Sequence, residues 1–119
     1  MIRLKRIYDK PSPDDGYRVL VERLWPRGMT KERAAIDLWD KEIAPSPELR
    51  AWFQHDLAKW KEFQQRYRAE LEQKKDLVQS LRKKSTEGTV TFLYAAHDIE
   101  HNSAAVLKAF VDGQSRVPV

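Results

Sequence analysis

The chain contains no cysteine in 119 residues. That absence excludes disulfides, thiolate zinc sites and thiol nucleophiles. Its four glycines never gather into a phosphate-cradling loop. The segment "WPRGMTK" (25–31) lacks both the glycine spacing and the Lys-Ser/Thr ending of such a loop, so no motif argues for a nucleotide. No apolar run is long enough to cross a membrane, and the opening "MIRLKRIYDK" lacks a signal-peptide core. A cytoplasmic protein with no membrane partner is expected. Repeats and low-complexity tracts are missing too. No Ser-His-Asp arrangement is readable, because Ser46 and Ser103 sit where helix caps belong.

What is present describes one domain. Hydrophobic residues make up 41% and charged residues 34%, the balance of a globular chain rather than a disordered one. A chain of this length buries a single core. The net charge of +4 permits an anionic partner without requiring one.

The segment "IRLKRIY" (2–8) alternates and reads as a strand, followed by loop chemistry in "DKPSPDDG" (9–16). "YRVLVERL" (17–24) reads as a second strand, buried on at least one face. The loop between these strands is too short for a helical crossover. As neighbours they would pair antiparallel; as parallel strands they would need something other than a standard βαβ unit. Pro26 and Gly28 stop the second strand, and Thr30 opens a short helix. "DLWDKEI" (37–43) fits a short strand or a helical turn. Ser46 and Pro47 begin a helix with Leu49, Trp52 and Phe53 on one face. The spacing of Trp60, Phe63, Tyr67, Leu71, Val78 and Leu81 predicts one long helix over 56–84, capped by Asp56. "TVTFLYAAH" (89–97) is apolar enough for the centre of a sheet, and Asn102 caps a last helix over 103–111. The expected fold is α/β: a small single-domain sandwich over residues 1–112, with a short, largely parallel central sheet flanked by helices. A loose tail is expected over 113–119. The strands at 17–24 and 89–97 should be parallel neighbours, which puts their carboxyl ends on the sheet edge where α/β proteins bind ligands.

That edge would gather Arg23 and Arg27 from one corner and His97, Asp98 and Asn102 from the other. Arginine forks and helix N-termini hold phosphate or carboxylate, so an anion site is one reading. The other is a structural bridge from Arg23 to Asp98, with Asn102 merely capping. Arg50 lies off the apolar helix face and reaches either the edge or solvent. His55 stands at a helix joint, as a proton carrier or as a packing residue. "HDIEH" (97–101) places its histidines on a turn where the side chains diverge, so no metal is expected. Trp25 either stacks on a ligand ring or covers the sheet end. The basic runs "QKKD" and "RKKS" match a helix dipole and read as solvated surface.

The motifs "DGYRVLVERLWPRG", "WDKEIAPSPELRAWFQHD" and "FLYAAHDIEHNSAAVL" together resemble the bacterial YeaO-like family, a domain of unknown function, from about Lys5 to about Val111. The resemblance implies a small cytosolic α/β domain and supplies no activity. Carried over by position, its motif residues are Arg18, Arg23, Trp25, Pro26, Arg27 and Gly28, then Ala44, Pro45, Ser46, Leu49 and Arg50, then Asp98 and Asn102. This chain departs from the family pattern at Glu22, where an aspartate is usual. It departs again at His97, where a lysine or arginine is common, and at Ser103, which replaces a histidine.

Three functions stay open on the sequence. The first is a domain binding an anionic, phosphate-bearing ligand such as a nucleotide or nucleic-acid fragment. In it Arg23, Trp25, Arg27, Arg50, His97 and Asn102 hold the ligand, and Asp98 and His55 carry any proton transfer, without a cofactor. The second is a non-catalytic nucleic-acid or protein adaptor. The third is a structural domain whose arginines pair internally with Asp37, Asp40 and Asp98.

Overall fold

The computed structural model describes residues 1–113, so the expected tail lies outside the described residues from position 114 onward. Four parallel strands form one sheet in the order β1-β4-β2-β3, with β1 at Ile2–Arg6, β2 at Tyr17–Leu20, β3 at Leu38–Trp39 and β4 at Val90–Tyr94. The helices are α1 (Lys31–Ala34), α2 (Pro47–Phe53), α3 (Trp60–Glu72), α4 (Lys75–Glu87) and α5 (Ser103–Val111). The α/β fold expected from the sequence is the fold observed.

Strand β4 is buried along its whole length, as its apolar sequence requires. It pairs with β2 on one side, Val19 opposite Phe92, and with β1 on the other, Leu4 opposite Phe92. The first two strands are therefore not neighbours. The chain arches from β1 across the end of β4 to β2, which resolves the short connection without an antiparallel pair.

The arch is tied down by buried charge. Ser12 caps a 3-10 turn over Pro13–Asp15, and Asp15 is almost fully buried. Its carboxylate accepts the Ser12 N–H at 3.0 Å and the Lys5 ammonium at 3.1 Å, and it pairs with the Arg18 guanidinium. Burial pushes its pKa up, but the hydrogen bonds from Ser12, Lys5 and Arg18 outweigh that, so the carboxyl lies below its ordinary value. Arg18 also donates to the carbonyls of Ala34 and Ala35. Asp37 serves this region by accepting the Arg18 backbone N–H rather than by pairing with an arginine side chain.

One face of the sheet carries Val19, Val21, Val90, Phe92 and Tyr94 against α2–α5. The other packs Leu20, Leu93 and Ile7 under Met29 and Ala34, with Trp25 and Trp39 beside them.

The single helix expected over 56–84 is divided. Asp56 caps a 3-10 turn at Leu57–Lys59, α3 follows, and the chain leaves helical geometry at Lys74 (φ −119°, ψ 45°) before α4. Between Leu71 and Val78 only Leu77 is apolar, so little core contact opposes a bend there. The bend also lets the Lys74 ammonium reach the carbonyls of Glu42 and Ala44.

Gly16 turns the chain into β2 at φ 64°, and a Cβ there would sit 2.2 Å from the Thr89 carbonyl oxygen. That approach matters because the same carbonyl accepts the Tyr17 N–H that begins the β2–β4 ladder. Gly16→Ala should lower stability by about 2 kcal/mol or more through strain and this clash. Urea unfolding measures the loss; a change under about 0.5 kcal/mol would contradict the close packing.

Candidate functional site

Where β2 and β4 end, the sheet opens into a cavity of about 630 Å³. Its position at the carboxyl edge of parallel strands follows from the topology. Glu22 enters from the end of β2, and Ala95–Asp98 from the end of β4. Arg50, Phe53, Gln54 and His55 come from α2 and its exit, Phe63 from α3, and Asn102 with Ser103 from the start of α5.

Glu22 is the group at this edge that the sequence did not nominate as a site residue. Val21, the residue after β2, donates its backbone N–H to the Leu93 carbonyl at 3.1 Å. Just past the end of β4, the Ala95 N–H bonds the Glu22 carboxylate at 3.0 Å instead. A side chain thus replaces the backbone acceptor, and a carboxylate is carried to the mouth of the sheet. Burial pushes this carboxyl above its ordinary value of 4.5, against the opposing Ala95 hydrogen bond and the charges of Arg50 and His55. Its sequence signal was the single departure from the family's aspartate, and one methylene gives no hint of a new hydrogen bond.

Arg50 lines the cavity from the exposed side of α2. Among the described residues its guanidinium makes no ion pair. Its backbone is fully used, accepting the Gln54 N–H and donating to Ser46, so the unspent capacity is in the side chain. Gln54 and His55 then hold positive φ, 48° and 55°. Two successive left-handed residues without glycine are uncommon and costly. This turn brings the His55 ring beside Phe53, with centroids 5.9 Å apart and the planes tilted by 49°, at the cavity lining.

His97 also lines the cavity, and Arg6 stands behind it. The Arg6 guanidinium donates to the carbonyls of Ala96 (2.9 Å) and Ala95 (3.3 Å) and lies 3.5 Å from His97 Nδ1. Because arginine only donates, that contact favours the His97 tautomer with its proton on Nε2.

Asp98 and Asn102 build the turn beneath. Asp98 Oδ1 accepts the N–H groups of Glu100 and His101, both at 2.9 Å, and Oδ2 lies 3.0 Å from His101 Nδ1. The amides of His101 and Glu100 hold its carboxyl below the usual carboxylate range. Asn102 accepts the Ala105 N–H and donates to the Asp98 carbonyl, each at 2.9 Å. His101 turns away onto Trp60, 5.3 Å between ring centroids, so the two histidines of "HDIEH" do diverge. Among the described residues no group of acids and histidines could hold a metal ion.

The remaining nominees of the "ERLWPRG" corner do not line the cavity. Arg23 donates to the carbonyls of Pro45 (3.2 Å) and Ala44 (3.1 Å) and reaches Glu42 at 3.4 Å, not Asp98. It braces from behind the Ala44–Pro45 segment that forms one cavity wall. That segment is fastened further by the Tyr67 hydroxyl on the Ile43 carbonyl, 2.7 Å, and by the Ser46 N–H on Glu70, 2.9 Å. Asp40 accepts the Ile43 N–H rather than an arginine. Trp25 lies on the opposite face of the sheet, edge-on to Trp39 at 5.3 Å, with its indole N–H on the Met29 carbonyl at 2.7 Å. Arg27 is exposed, and its carbonyl accepts the Tyr8 hydroxyl at 2.9 Å.

A glutamate whose folded pKa lies above its unfolded value carries no penalty below the unfolded value. The penalty for ionising it grows as pH rises through the folded one. Glu22→Gln keeps an oxygen for the Ala95 N–H and cannot ionise. The melting temperature of Glu22→Gln minus that of the parent protein should therefore increase as pH rises from 4.5. Melting curves from pH 4 to 8 test this; a difference that is flat or falls with pH would contradict a half-buried, poorly solvated Glu22.

Comparison with known proteins matches nearly the whole chain. Over 113 residues the chain is 39% identical to an uncharacterised protein of Mycobacterium tuberculosis, covering 95% of each chain. Over 106 residues it is 43% identical to the uncharacterised protein YeaO of Escherichia coli K12, covering 89% of this chain and 92% of that one. No solved structure matches. The model of the family DUF488-N3i, described as the inactive DUF488-N3 subclade, matches residues 1–116. The chain belongs to this YeaO-like family of DUF488-N3i proteins.

Proposed function

We propose that the domain binds a small anionic ligand in the cavity at the carboxyl edge of its sheet, with the Arg50 fork on the anionic group. The observation that carries this reading is Arg50 itself, a solvent-exposed residue lining a cavity of about 630 Å³, whose guanidinium has no ion-pair partner among the described residues. A guanidinium fork matches carboxylate or phosphate bidentately. His97 and His55 add donors at the rim, and Phe53 and Phe63 supply apolar wall for the body of the ligand. Phosphate-bearing compounds, nucleotides and nucleic-acid fragments among them, fall within this class.

Binding is favoured over turnover. Asp98 spends both carboxylate oxygens on the turn above α5, which leaves it poorly placed as a base. The family's description as inactive points the same way. The adaptor reading loses Trp25 as a stacking platform, because its ring packs against Trp39, and keeps only the positive net charge. Arg23 supports a structural role for itself alone, since loop carbonyls occupy it.

Thermal-shift titration with inorganic phosphate, nucleoside monophosphates, sugar phosphates and simple carboxylates tests the proposal. A ligand at a hundred times its Kd adds about 2.7 kcal/mol of stability, a readable rise in Tm. Arg50→Ala should abolish the rise and Arg27→Ala should keep it. No response to any compound, or an Arg50→Ala variant that responds like the parent, would refute it.

A further inference from the structure

We infer that the ligand of this cavity is a zwitterion of the α-amino-acid type, with its carboxylate on Arg50, its ammonium on Glu22 and an apolar side chain against Phe53 and Phe63. The inference rests on the anion reading of Arg50 and adds the second charge.

The cavity holds opposite charges that do not meet. The Arg50 charge acts on the Glu22 carboxylate, yet no ion pair or hydrogen bond joins the two side chains. Elsewhere in this protein such partners close on each other: Asp15 on Lys5 and Arg18, Lys108 on Asp112 at 2.8 Å. Here they do not. Glu22 is pinned at one oxygen by the Ala95 N–H, and Arg50 lines the same cavity from α2. The second Glu22 oxygen has no donor among the described residues. A carboxylate in a partly apolar cavity gains most from a charged N–H donor.

Charge then selects among anions. A phosphate dianion placed on Arg50 would meet the Glu22 carboxylate as a like charge. A carboxylate carrying its own ammonium turns that repulsion into a second contact. Beside these charges the cavity has apolar lining from Phe53, Phe63, Ala95 and Ala96, which suits an aliphatic or aromatic side chain.

The test uses the full chain and compares leucine, phenylalanine and tryptophan with 3-phenylpropionate, which lacks the ammonium, and phenethylamine, which lacks the carboxylate. Affinities come from calorimetry, with thermal shift as a second readout. An amino acid should bind, and both truncated analogues should bind roughly tenfold or more weakly. Glu22→Gln should erase the preference for phenylalanine over 3-phenylpropionate, while Arg50→Ala should weaken both. Near-UV circular dichroism confirms that the variants are folded, and the ligand comparison on the parent protein needs no variant. If 3-phenylpropionate binds as tightly as phenylalanine, or phosphate compounds bind and amino acids do not, the zwitterion inference fails and the anion reading stands. If neither carboxylates nor phosphates bind, both fail.

Discussion

Strand β4 is hydrogen-bonded along both edges to parallel partners, from Met1 and Thr89 at one end to Leu93 and Tyr94 at the other. Both of its faces are covered, so the strand must be apolar throughout and its polar backbone must be matched at every step. The position of its carboxyl end fixes the site. There the regular ladder runs out of backbone acceptors, and the Ala95 N–H takes the Glu22 carboxylate instead. A sheet finished by a backbone carbonyl would place no charge there. Finished by a glutamate, it places one at the mouth of a cavity.

The walls of that cavity are held by side chains whose work is structural. Residues 42–46 form a loop with little regular structure, and their polar groups are claimed by Arg23, Tyr67, Glu70 and Lys74. The Ala44 carbonyl is shared by Arg23 and Lys74. Burial lowers the Lys74 pKa, although nearby Glu70, Glu42 and Asp40 counter it. The charged residues of the first corner and of the helix junction thus close one wall. Arg50 and Glu22 line the cavity, Arg50 without an ion-pair partner among the described residues and Glu22 with one oxygen on the Ala95 N–H.

Much of this was legible in the sequence. The apolar run at 89–97 gave away the central strand. Ser46 with Pro47, Thr30 and Asn102 marked helix starts that the structure keeps, because each oxygen accepts an amide in its first turn. The placement of His97, Asp98 and Asn102 at one edge followed from the parallel pairing of β2 with β4, whereas for Arg50 the sequence left edge and solvent both open, and for His55 it gave only a helix joint. What could not be read was which way each polar side chain turns. "ERLWPRG" contributes one residue to the cavity, one to its back wall and one to the opposite core. Alternation predicts faces within a strand, but β2 ends at Leu20, and beyond it tertiary hydrogen bonds decide. The break at Lys74 was hidden for a related reason. The apolar spacing from Leu71 to Val78 fits a continuous helix, while the carbonyls that draw Lys74 out lie some thirty residues away, at 42 and 44.

The central claim is that an anion is held at this edge by Arg50, and a nitrogen-15 NMR titration of the folded protein with a binding anion tests it most directly. The account predicts shifts concentrated in the Arg50 side-chain Nε–H and the backbone amides of Gln54, His55 and Ala95–His97, saturating together. Shifts confined to the basic surface of α4 around Lys83 and Lys84, with Arg50 and Ala95 unmoved, would contradict it.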